Sequence, residues 1–253
     1  MSNLRRVLIT AACSGIGREI ANAFLDDGHL VHVCDISVPD GTTSMGNLTV
    51  SQVDVTNSAQ VANWVACAER NMGGIDVLIN NAGIAGPTSP VESVDIKSWR
   101  ECLAVGLDSH FLTAHYVAPI MKRQKSGTII NISSTAGQFG YPLRTPYAAA
   151  KWAVIGLTKS LAIELGGANI TVNAVCPGSV SGDRMRKVIE REANSRNVTT
   201  DFVTAEYING QSIKRFTEPS EIAAMCRFLS SDSARMVSGQ VIAVDGNTET
   251  YHL

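Results

Sequence analysis

Tyr147 and Lys151 are four residues apart and form the pair of side chains with the clearest chemical potential in the sequence. The segment from Thr145 to Leu165 has a helical pattern, in which this spacing places both side chains on one face. An ammonium about 4 Å from a phenolate stabilises it by roughly 4 kcal/mol at an effective dielectric of 20, or about three pKa units. Such a pair can bring the pKa of a tyrosine toward neutrality and make it a general acid-base.

Ser134 stands thirteen residues before Tyr147, at the end of the predicted strand Thr128–Ser133. Its hydroxyl can donate to a substrate oxygen and hold that oxygen against the phenol. When an alcohol gives up a hydride its hydroxyl proton must also leave, so a base is needed at the reacting centre. Ser134, Tyr147 and Lys151 are therefore candidate catalytic residues of an oxidoreductase. Taken alone, a tyrosine and a lysine at helical spacing are more often ordinary surface residues.

A glycine-containing segment, Thr10-Ala-Ala-Cys-Ser-Gly-Ile-Gly17, follows the predicted strand Arg5–Thr10 and opens the predicted helix Ile16–Asp27. Gly15 and Gly17 let the chain turn tightly and approach a pyrophosphate, whose charge the free N–H groups of a helix N-terminus can hold. This placement predicts a dinucleotide site, with an ordinary strand-to-helix turn as the alternative. The candidate cofactor residues in this segment are Thr10, Ser14, Gly15, Ile16 and Gly17.

Asp35 ends the second predicted strand, His29–Asp35, eighteen residues beyond Gly17. A carboxylate at this position can accept hydrogen bonds from the 2′- and 3′-hydroxyls of an adenosine ribose, and it would repel a 2′-phosphate. No arginine or lysine lies in the glycine loop before Arg18 or just after Asp35. These features favour NAD over NADP, although Asp35 could also be a simple strand-end cap.

Short apolar runs rich in β-branched residues alternate with longer amphipathic stretches, a pattern typical of strand-helix-strand units and a parallel sheet. We expect one α/β domain with a Rossmann-type doubly wound parallel β-sheet and helices on both faces. The predicted strands are Arg5–Thr10, His29–Asp35, Leu48–Val53, Ile75–Asn80, Thr128–Ser133, Ile170–Cys176 and Gln240–Val244. The predicted helices are Ile16–Asp27, 54–72, Ile96–Lys122 and Thr145–Leu165.

A polar, charge-rich stretch at about 179–217, here called the flap, interrupts this alternation. It has helical periodicity in two pieces, Asp183–Ser195 and Asp201–Gln211. We expect it to be an insertion that covers the substrate and not a second domain. Its arginines and lysines are expected to face solvent, as the charges of such helices usually do.

Several segments resemble, in type and order, the motifs of the short-chain dehydrogenase/reductase family in its common form, whose length is close to the 253 residues here. They are Asn80-Asn-Ala-Gly83, Ser133-Ser134, Tyr147-Ala-Ala-Ala-Lys151, Pro177-Gly178 and Ser238-Gly-Gln-Val-Ile-Ala-Val-Asp-Gly246. The resemblance implies hydride transfer between a nicotinamide and a small secondary alcohol or ketone, such as a sugar, polyol or hydroxy acid. Cofactor contacts implied by the resemblance come from Asp54, Val55, Asn80, Ala82, Gly83, Tyr147, Lys151, Pro177, Gly178 and Val180.

Three positions depart from the family pattern. Ala11 stands at the first glycine position, where we expect a slight shift of the loop, and the threonine often found near position 182 is absent. Gly106 replaces an asparagine that the family uses to kink a long helix and to support a water beside the lysine. A glycine within a helix costs about 1 kcal/mol relative to alanine and can permit the same distortion. We expect an active enzyme with an altered proton relay.

Two other functions stay open. The chain could be a weak or inactive NAD(H)-binding sensor, which Gly106 and Ala11 favour and which the presence of Ser134, Tyr147 and Lys151 disfavours. Within the enzyme class it could be a 3-oxoacyl-carrier reductase, but such enzymes commonly prefer the phosphorylated cofactor, against which Asp35 argues.

The composition narrows the partners and the compartment. A net charge of −2 gives no field that would attract nucleic acid or an anionic membrane. The six cysteines are scattered and the N-terminus has no apolar signal stretch, so we expect reduced thiols and a cytoplasmic protein. The histidines show no metal-ligand spacing, and no metal site is expected. By resemblance we expect a homotetramer or dimer that pairs the long helices Ile96–Lys122 and Thr145–Leu165.

Overall fold

An eight-stranded sheet forms the centre of the computed structural model, which describes residues 4–249. The strands are β1 Arg6–Thr10, β2 Leu30–Asp35, β3 Thr42–Met45, β4 Leu48–Gln52, β5 Val77–Asn80, β6 Gly127–Ile132, β7 Ile170–Pro177 and β8 Val241–Val244. Their order is β3-β4-β2-β1-β5-β6-β7-β8, and all neighbours are parallel except β3 and β4. The predicted single domain with a doubly wound parallel sheet is confirmed.

Helices cover both faces of the sheet. They are α1 Gly15–Asp26, α2 Ser58–Met72, α3 Ile96–Leu103, α4 Ser109–Gln124, α5 Thr145–Gly166, α6 Asp183–Arg196, α7 Thr200–Asn209 and α8 Pro219–Leu229. On one face, Val61 of α2 and Val117 of α4 share an apolar core with Leu8 of β1. On the other, Phe24 of α1 and Ile222 of α8 pack with Ile9. Neighbouring residues of β1 thus supply opposite cores, as the alternation of side chains along a strand requires.

Three elements differ from the sequence prediction. An additional antiparallel strand, β3, precedes the third predicted strand. All four of its residues are exposed and only Met45 is apolar, so its sequence has no hydrophobic alternation. Helix α8 was not predicted, although Glu218 and Glu221 form a capping box around Pro219 at its start. The predicted helix Ile96–Lys122 is two helices, α3 and α4, joined by a π-helical turn.

The described residues 4–249 contain no helix with the length and apolarity needed to cross a membrane. In the same part of the chain, no group of three or more histidine, cysteine, aspartate or glutamate side chains is arranged to hold a metal ion.

Candidate active site

The candidate catalytic side chains meet at the carboxyl edge of the sheet, where the parallel strands end. Ser134 follows the end of β6, and Tyr147 and Lys151 lie in the first two turns of α5. Ligands of doubly wound sheets bind in the crevice at this edge. The structure therefore brings together the three residues that are far apart in the sequence.

Ser134 and Lys151 flank the Tyr147 side chain. The Ser134 hydroxyl hydrogen-bonds to the Tyr147 phenol and accepts from the N–H of Ala136 at 3.1 Å. Lys151 Nζ lies 5.9 Å from the centroid of the Tyr147 ring and donates to the carbonyl of Ile132 at 2.8 Å. Ser134 is 8% exposed and Lys151 is 3% exposed, so both polar groups act on the phenol with little screening by water.

The pKa of Tyr147 lies below the ordinary tyrosine value of 10.0. Burial raises this pKa, but the positive charges of Lys151, Arg184 and Arg144, together with the hydrogen bond from Ser134, lower it by more. Among the lowering groups, Lys151 has the largest effect. The direction is the one that an acid-base group working near neutral pH requires.

The pKa of Lys151 is lowered as well. Burial disfavours the ammonium, and the charge of a Tyr147 phenolate raises the pKa only in part. Glycine at position 83 leaves room for this ammonium, because a Cβ there would lie 3.2 Å from Nζ. Ser133 Oγ donates to the Lys151 carbonyl at 2.8 Å and so ties the start of α5 to the end of β6.

Two arginines that sequence reasoning did not place in the site lie against the Tyr147 ring. The guanidinium carbon of Arg144 is 4.9 Å from the ring centroid, and that of Arg184 is 6.0 Å from it. Arg144 is the residue before α5, and its spacing of three from Tyr147 was the signal that could have identified it. Arg184 belongs to α6 and is exposed, yet its Nη1 reaches inward to donate to the carbonyl of Gly83 at 3.0 Å.

The flap forms α6 and α7, and a polar network ties these helices to the loop before α5. Tyr207 Oη donates to a Glu192 carboxylate oxygen at 2.7 Å and also bonds to the hydroxyl of Tyr141. Arg196 pairs with Glu192 at 2.9 Å and with Glu206 at 2.6 Å. The Arg196 side chain is 16% exposed, so the expectation that the flap's arginines face solvent is wrong for this residue.

The glycine loop after β1 fits a pyrophosphate. Helix α1 begins at Gly15, whose φ is +53°, and the side chain of its N-cap residue, Ser14, makes no cap hydrogen bond. The first N–H groups of α1 are thus left for a ligand. A Cβ at Gly17 would lie 2.6 Å from the carbonyl oxygen of Ala11 and 2.5 Å from Nδ2 of Asn81, so a larger residue would displace the loop.

Ala11 has a φ of +51°, in the left-handed region that favours glycine. For an alanine this conformation costs roughly 1–2 kcal/mol. Asn81 compensates by holding the loop, since its Nδ2 donates to the carbonyls of Thr10 at 3.0 Å and Ala11 at 2.9 Å. The Thr10 hydroxyl in turn accepts from the N–H groups of Asn81 and Ala82. Asn81 is a positioning residue that sequence reasoning missed, although it lies within the quoted Asn-Asn-Ala-Gly motif.

Asp35 ends β2 beside the glycine loop. Its Oδ2 accepts from the N–H of Cys13 at 3.1 Å, and its Oδ1 accepts from the N–H and hydroxyl of Ser37 at 3.0 and 2.7 Å. The carboxylate is therefore fixed next to the loop expected to hold the pyrophosphate. Asp54 and Val55 follow β4 along the same edge. The Asp54 carboxylate accepts from the N–H of Thr56 at 2.9 Å, and the Val55 side chain is buried.

Asn80 differs from the other candidate cofactor residues because its side chain lies inside the fold. It is fully buried, and its Nδ2 donates to Asn131 at 2.9 Å and to the carbonyl of His110 at 3.3 Å. Its Oδ1 accepts from the hydroxyl of Thr113. The amide is fully used by the protein, so only the main chain of Asn80 is left for a cofactor contact.

The remaining candidate cofactor residues lie at the end of β7 and after β5. Pro177 is the last residue of β7, and a Cβ at Gly178 would lie 2.7 Å from the Asp245 Cβ, which explains the glycine. Val180 forms an isolated bridge with Thr217, where the flap returns to the sheet. Ala82 is buried, and its carbonyl contacts the His110 ring at 3.1 Å.

Gly106 lies in the π-helical turn Ala104–Asp108, and the expected distortion of the long helix is present. The hydroxyl of Ser109, the first residue of α4, donates to the carbonyl of Val105 in this turn at 2.7 Å. A Cβ at Gly106 would lie 3.2 Å from the Cβ of Ala150, so the turn packs closely on the helix of Tyr147.

Comparison with known proteins gives matches along nearly the whole chain. A family model described as enoyl-(acyl carrier protein) reductase matches residues 10–247. D-beta-hydroxybutyrate dehydrogenase of Rhizobium meliloti (strain 1021) is 31% identical over 252 residues, which cover 96% of this chain and 97% of that protein. The 3-oxoacyl-acyl-carrier-protein reductase FabG of Thermotoga maritima is 35% identical over 246 residues, covering 94% and 95%.

Comparison with solved structures gives the same result as the sequence comparison. The crystal structure of levodione reductase superposes with a TM-score of 0.88 and 31% sequence identity, covering 96% of both chains. The relatives are oxidoreductases acting on alcohol or carbonyl groups. This chain therefore belongs to the short-chain dehydrogenase/reductase family, whose members are oxidoreductases that bind NAD(P).

Proposed function

We propose that this protein transfers a hydride between NAD and a small secondary alcohol or ketone, with Tyr147 as its acid-base group. The observation that carries the proposal is the position of the Tyr147 phenol, hydrogen-bonded to Ser134 and close to the buried Lys151 ammonium. The proposed substrates belong to three classes: sugars, polyols and hydroxy acids. The D-beta-hydroxybutyrate dehydrogenase relative favours hydroxy acids among them.

Each residue has a defined part in alcohol oxidation. The Ser134 hydroxyl donates to the substrate oxygen and keeps it against the phenol, and a Tyr147 phenolate takes the hydroxyl proton. The Lys151 ammonium stabilises that phenolate, and by resemblance it also holds the ribose next to the nicotinamide. When bound, the nicotinamide supplies the hydride acceptor. In the direction of reduction, Tyr147 returns the proton to the substrate oxygen.

NAD is the preferred cofactor in this proposal. The Asp35 carboxylate is held beside the glycine loop by Cys13, so a 2′-phosphate would meet a fixed negative charge. The pyrophosphate would lie on the N–H groups at Gly15, Ile16 and Gly17, while the flap covers the substrate end. Nucleic acid and membranes are not among the proposed partners.

We also propose a homotetramer in the cytoplasm. Large apolar side chains stand in water on α4 and α5, where Phe111 is 52% exposed, Trp152 51% and Ile163 84%. Burial of such side chains between subunits would remove them from water. All six cysteines are free thiols, which favours a reducing compartment. Light scattering tests the assembly, and a monomer would contradict it.

The function is tested with a panel of sugars, polyols and hydroxy acids, each assayed with NAD and with NADP by nicotinamide absorbance. We expect turnover with NAD that is lost in Tyr147→Phe. Tight NADH binding without turnover of any substrate would contradict the proposal and would favour a nucleotide sensor. Turnover confined to carrier-bound 3-oxo acids with NADPH would favour the function of the FabG relative.

A further inference from the structure

Arg144 and Arg184 place two positive charges beside Tyr147 without a carboxylate to neutralise them. Within residues 4–249, neither guanidinium forms an ion pair. Arg144 is only 4% exposed, so its charge is held largely out of water. A buried charge without a counter-ion is unfavourable, and a ligand of opposite charge would relieve that cost.

The same segment of main chain orients both arginines. Arg144 donates through Nε and Nη2 to the carbonyl of Ala85 at 3.2 and 2.9 Å. Arg184 donates through Nη1 to the carbonyl of Gly83 at 3.0 Å. A guanidinium has five N–H donors, so each arginine keeps donors for a ligand after these bonds are made.

Three of the five acidic side chains of the flap pair with other arginines, and neither Glu190 nor Asp201 forms an ion pair with Arg144 or Arg184 in the described residues. Glu192 and Glu206 pair with Arg196, and Asp183 pairs with Arg186. These pairs leave the two arginines beside Tyr147 as charges that the flap itself does not balance.

We propose that Arg144 and Arg184 bind a carboxylate of the substrate, so that the substrate is a short hydroxy acid or the corresponding oxo acid. The guanidinium carbons lie 4.9 and 6.0 Å from the centroid of the Tyr147 ring, close enough for a short carbon chain to reach from the phenol to both. Planar guanidinium groups bind carboxylates through paired hydrogen bonds that the opposite charges strengthen, and sugars and polyols lack the negative charge. Because Arg184 is part of α6, the bound carboxylate also fixes the flap over the substrate. The inference rests on the proposed function and names its substrate class.

The kinetic test compares 2- and 3-hydroxy acids of short chain length with their amides, which have the same size and no charge. We expect the protein to oxidise one or more acids with a kcat/KM far above that of the matched amide. Arg184→Gln should lower kcat/KM for the acid about 10- to 100-fold more than for the amide, because any loss that comes from the pKa of Tyr147 affects both substrates. Lys187→Gln removes a charge from an exposed position of the same helix and serves as the control. Arg144→Gln, once shown to be folded, should lower the ratio of kcat/KM for the acid to that for the amide in the same way.

A binding measurement separates this inference from the proposed function, because it needs no turnover. Calorimetry should show butanoate binding more tightly than butanamide in the unmodified protein, with the difference lost in Arg184→Gln and kept in Lys187→Gln. Equal oxidation of acids and amides would overturn the carboxylate site while leaving the dehydrogenase in place. Butanoate binding that Arg184→Gln leaves intact would also overturn it. Butanoate binding that depends on Arg184, in a protein that oxidises no alcohol, would support the site and contradict the proposed function.

Discussion

Gly106 of the π-helical turn packs directly on Ala150 of α5, the helix that carries Tyr147 and Lys151. A Cβ at Gly106 would lie 3.2 Å from the Ala150 Cβ, closer than side-chain carbons usually approach. Ala150 is 1% exposed and rigidly attached to α5, so a larger residue at position 106 must move that helix by a few tenths of an ångström. We therefore expect the size of residue 106 to affect the position of Tyr147 relative to the sheet edge.

Gly106→Ala should lower kcat while the protein stays folded. The added methyl displaces Ala150 and hence Tyr147, and small misplacements of catalytic groups reduce rates, here by about 3- to 10-fold. Gly106→Ala combined with Ala150→Gly should restore most of the loss, because the second change removes the contact. Steady-state kinetics of both single variants and the double variant form the cycle that checks this. Additive losses would contradict the role of the contact.

The pH dependence of alcohol oxidation should follow the lowered pKa of Tyr147. The base acts as a phenolate, so kcat/KM should rise with pH and level off at a lower pH than the value of 10.0 for an ordinary tyrosine would give. Lys151→Met removes the largest of the lowering effects and should move the inflection to higher pH. Lys159→Met, at an exposed position of α5, is the control and should leave the profile unchanged. A pH profile that does not shift in Lys151→Met would contradict the claim that Lys151 lowers the pKa of Tyr147.

Asp35→Asn should shift the cofactor preference toward NADP. The amide keeps the size of the carboxylate and loses the charge that repels a 2′-phosphate, so the ratio of kcat/KM for NADP to that for NAD should rise about tenfold. Asp40→Asn changes an exposed carboxylate beyond the same strand and should not alter the ratio. Kinetics with both cofactors check this, and an unchanged ratio in Asp35→Asn would be the contrary result.

Tyr207→Phe should weaken the attachment of the flap. The change removes the hydroxyl that bonds to Glu192 and Tyr141, so KM should rise several-fold with little change in kcat. The free energy of unfolding should fall by about 1 kcal/mol. Tyr116→Phe removes a tyrosine hydrogen bond outside the flap, to Ser58 at 2.8 Å, and is the control. A rise in KM equal in both variants would contradict a specific role of the flap.

The parallel sheet and seven of its strands could be predicted because parallel strands buried on both faces give continuous apolar runs. Ser134, Tyr147 and Asp35 could be proposed as site residues for a related reason, since each has a fixed place at a strand end or on a helix face. Strand β3 could not, because its exposed residues Thr42–Met45 carry no apolar alternation. Its partner strand and the turn between them hold it in place.

Arg184 was beyond sequence reasoning for a different reason. Arg184 reaches Gly83 across a sequence distance of 101 residues, and periodicity cannot report such a contact. In the same way, the buried side chain of Asn80 depends on partners on β6 and α4, Asn131 and Thr113. Local patterns identify which residues carry chemistry, whereas long-range packing decides where they point.

Cofactor binding and alcohol oxidation measured on the same preparations of the unmodified protein and Tyr147→Phe test the central claim most directly. The account predicts that both proteins bind NADH with equal affinity, and that NAD-linked oxidation falls about 100-fold or more in the variant. Oxidation that persists in Tyr147→Phe at the rate of the unmodified protein would contradict it.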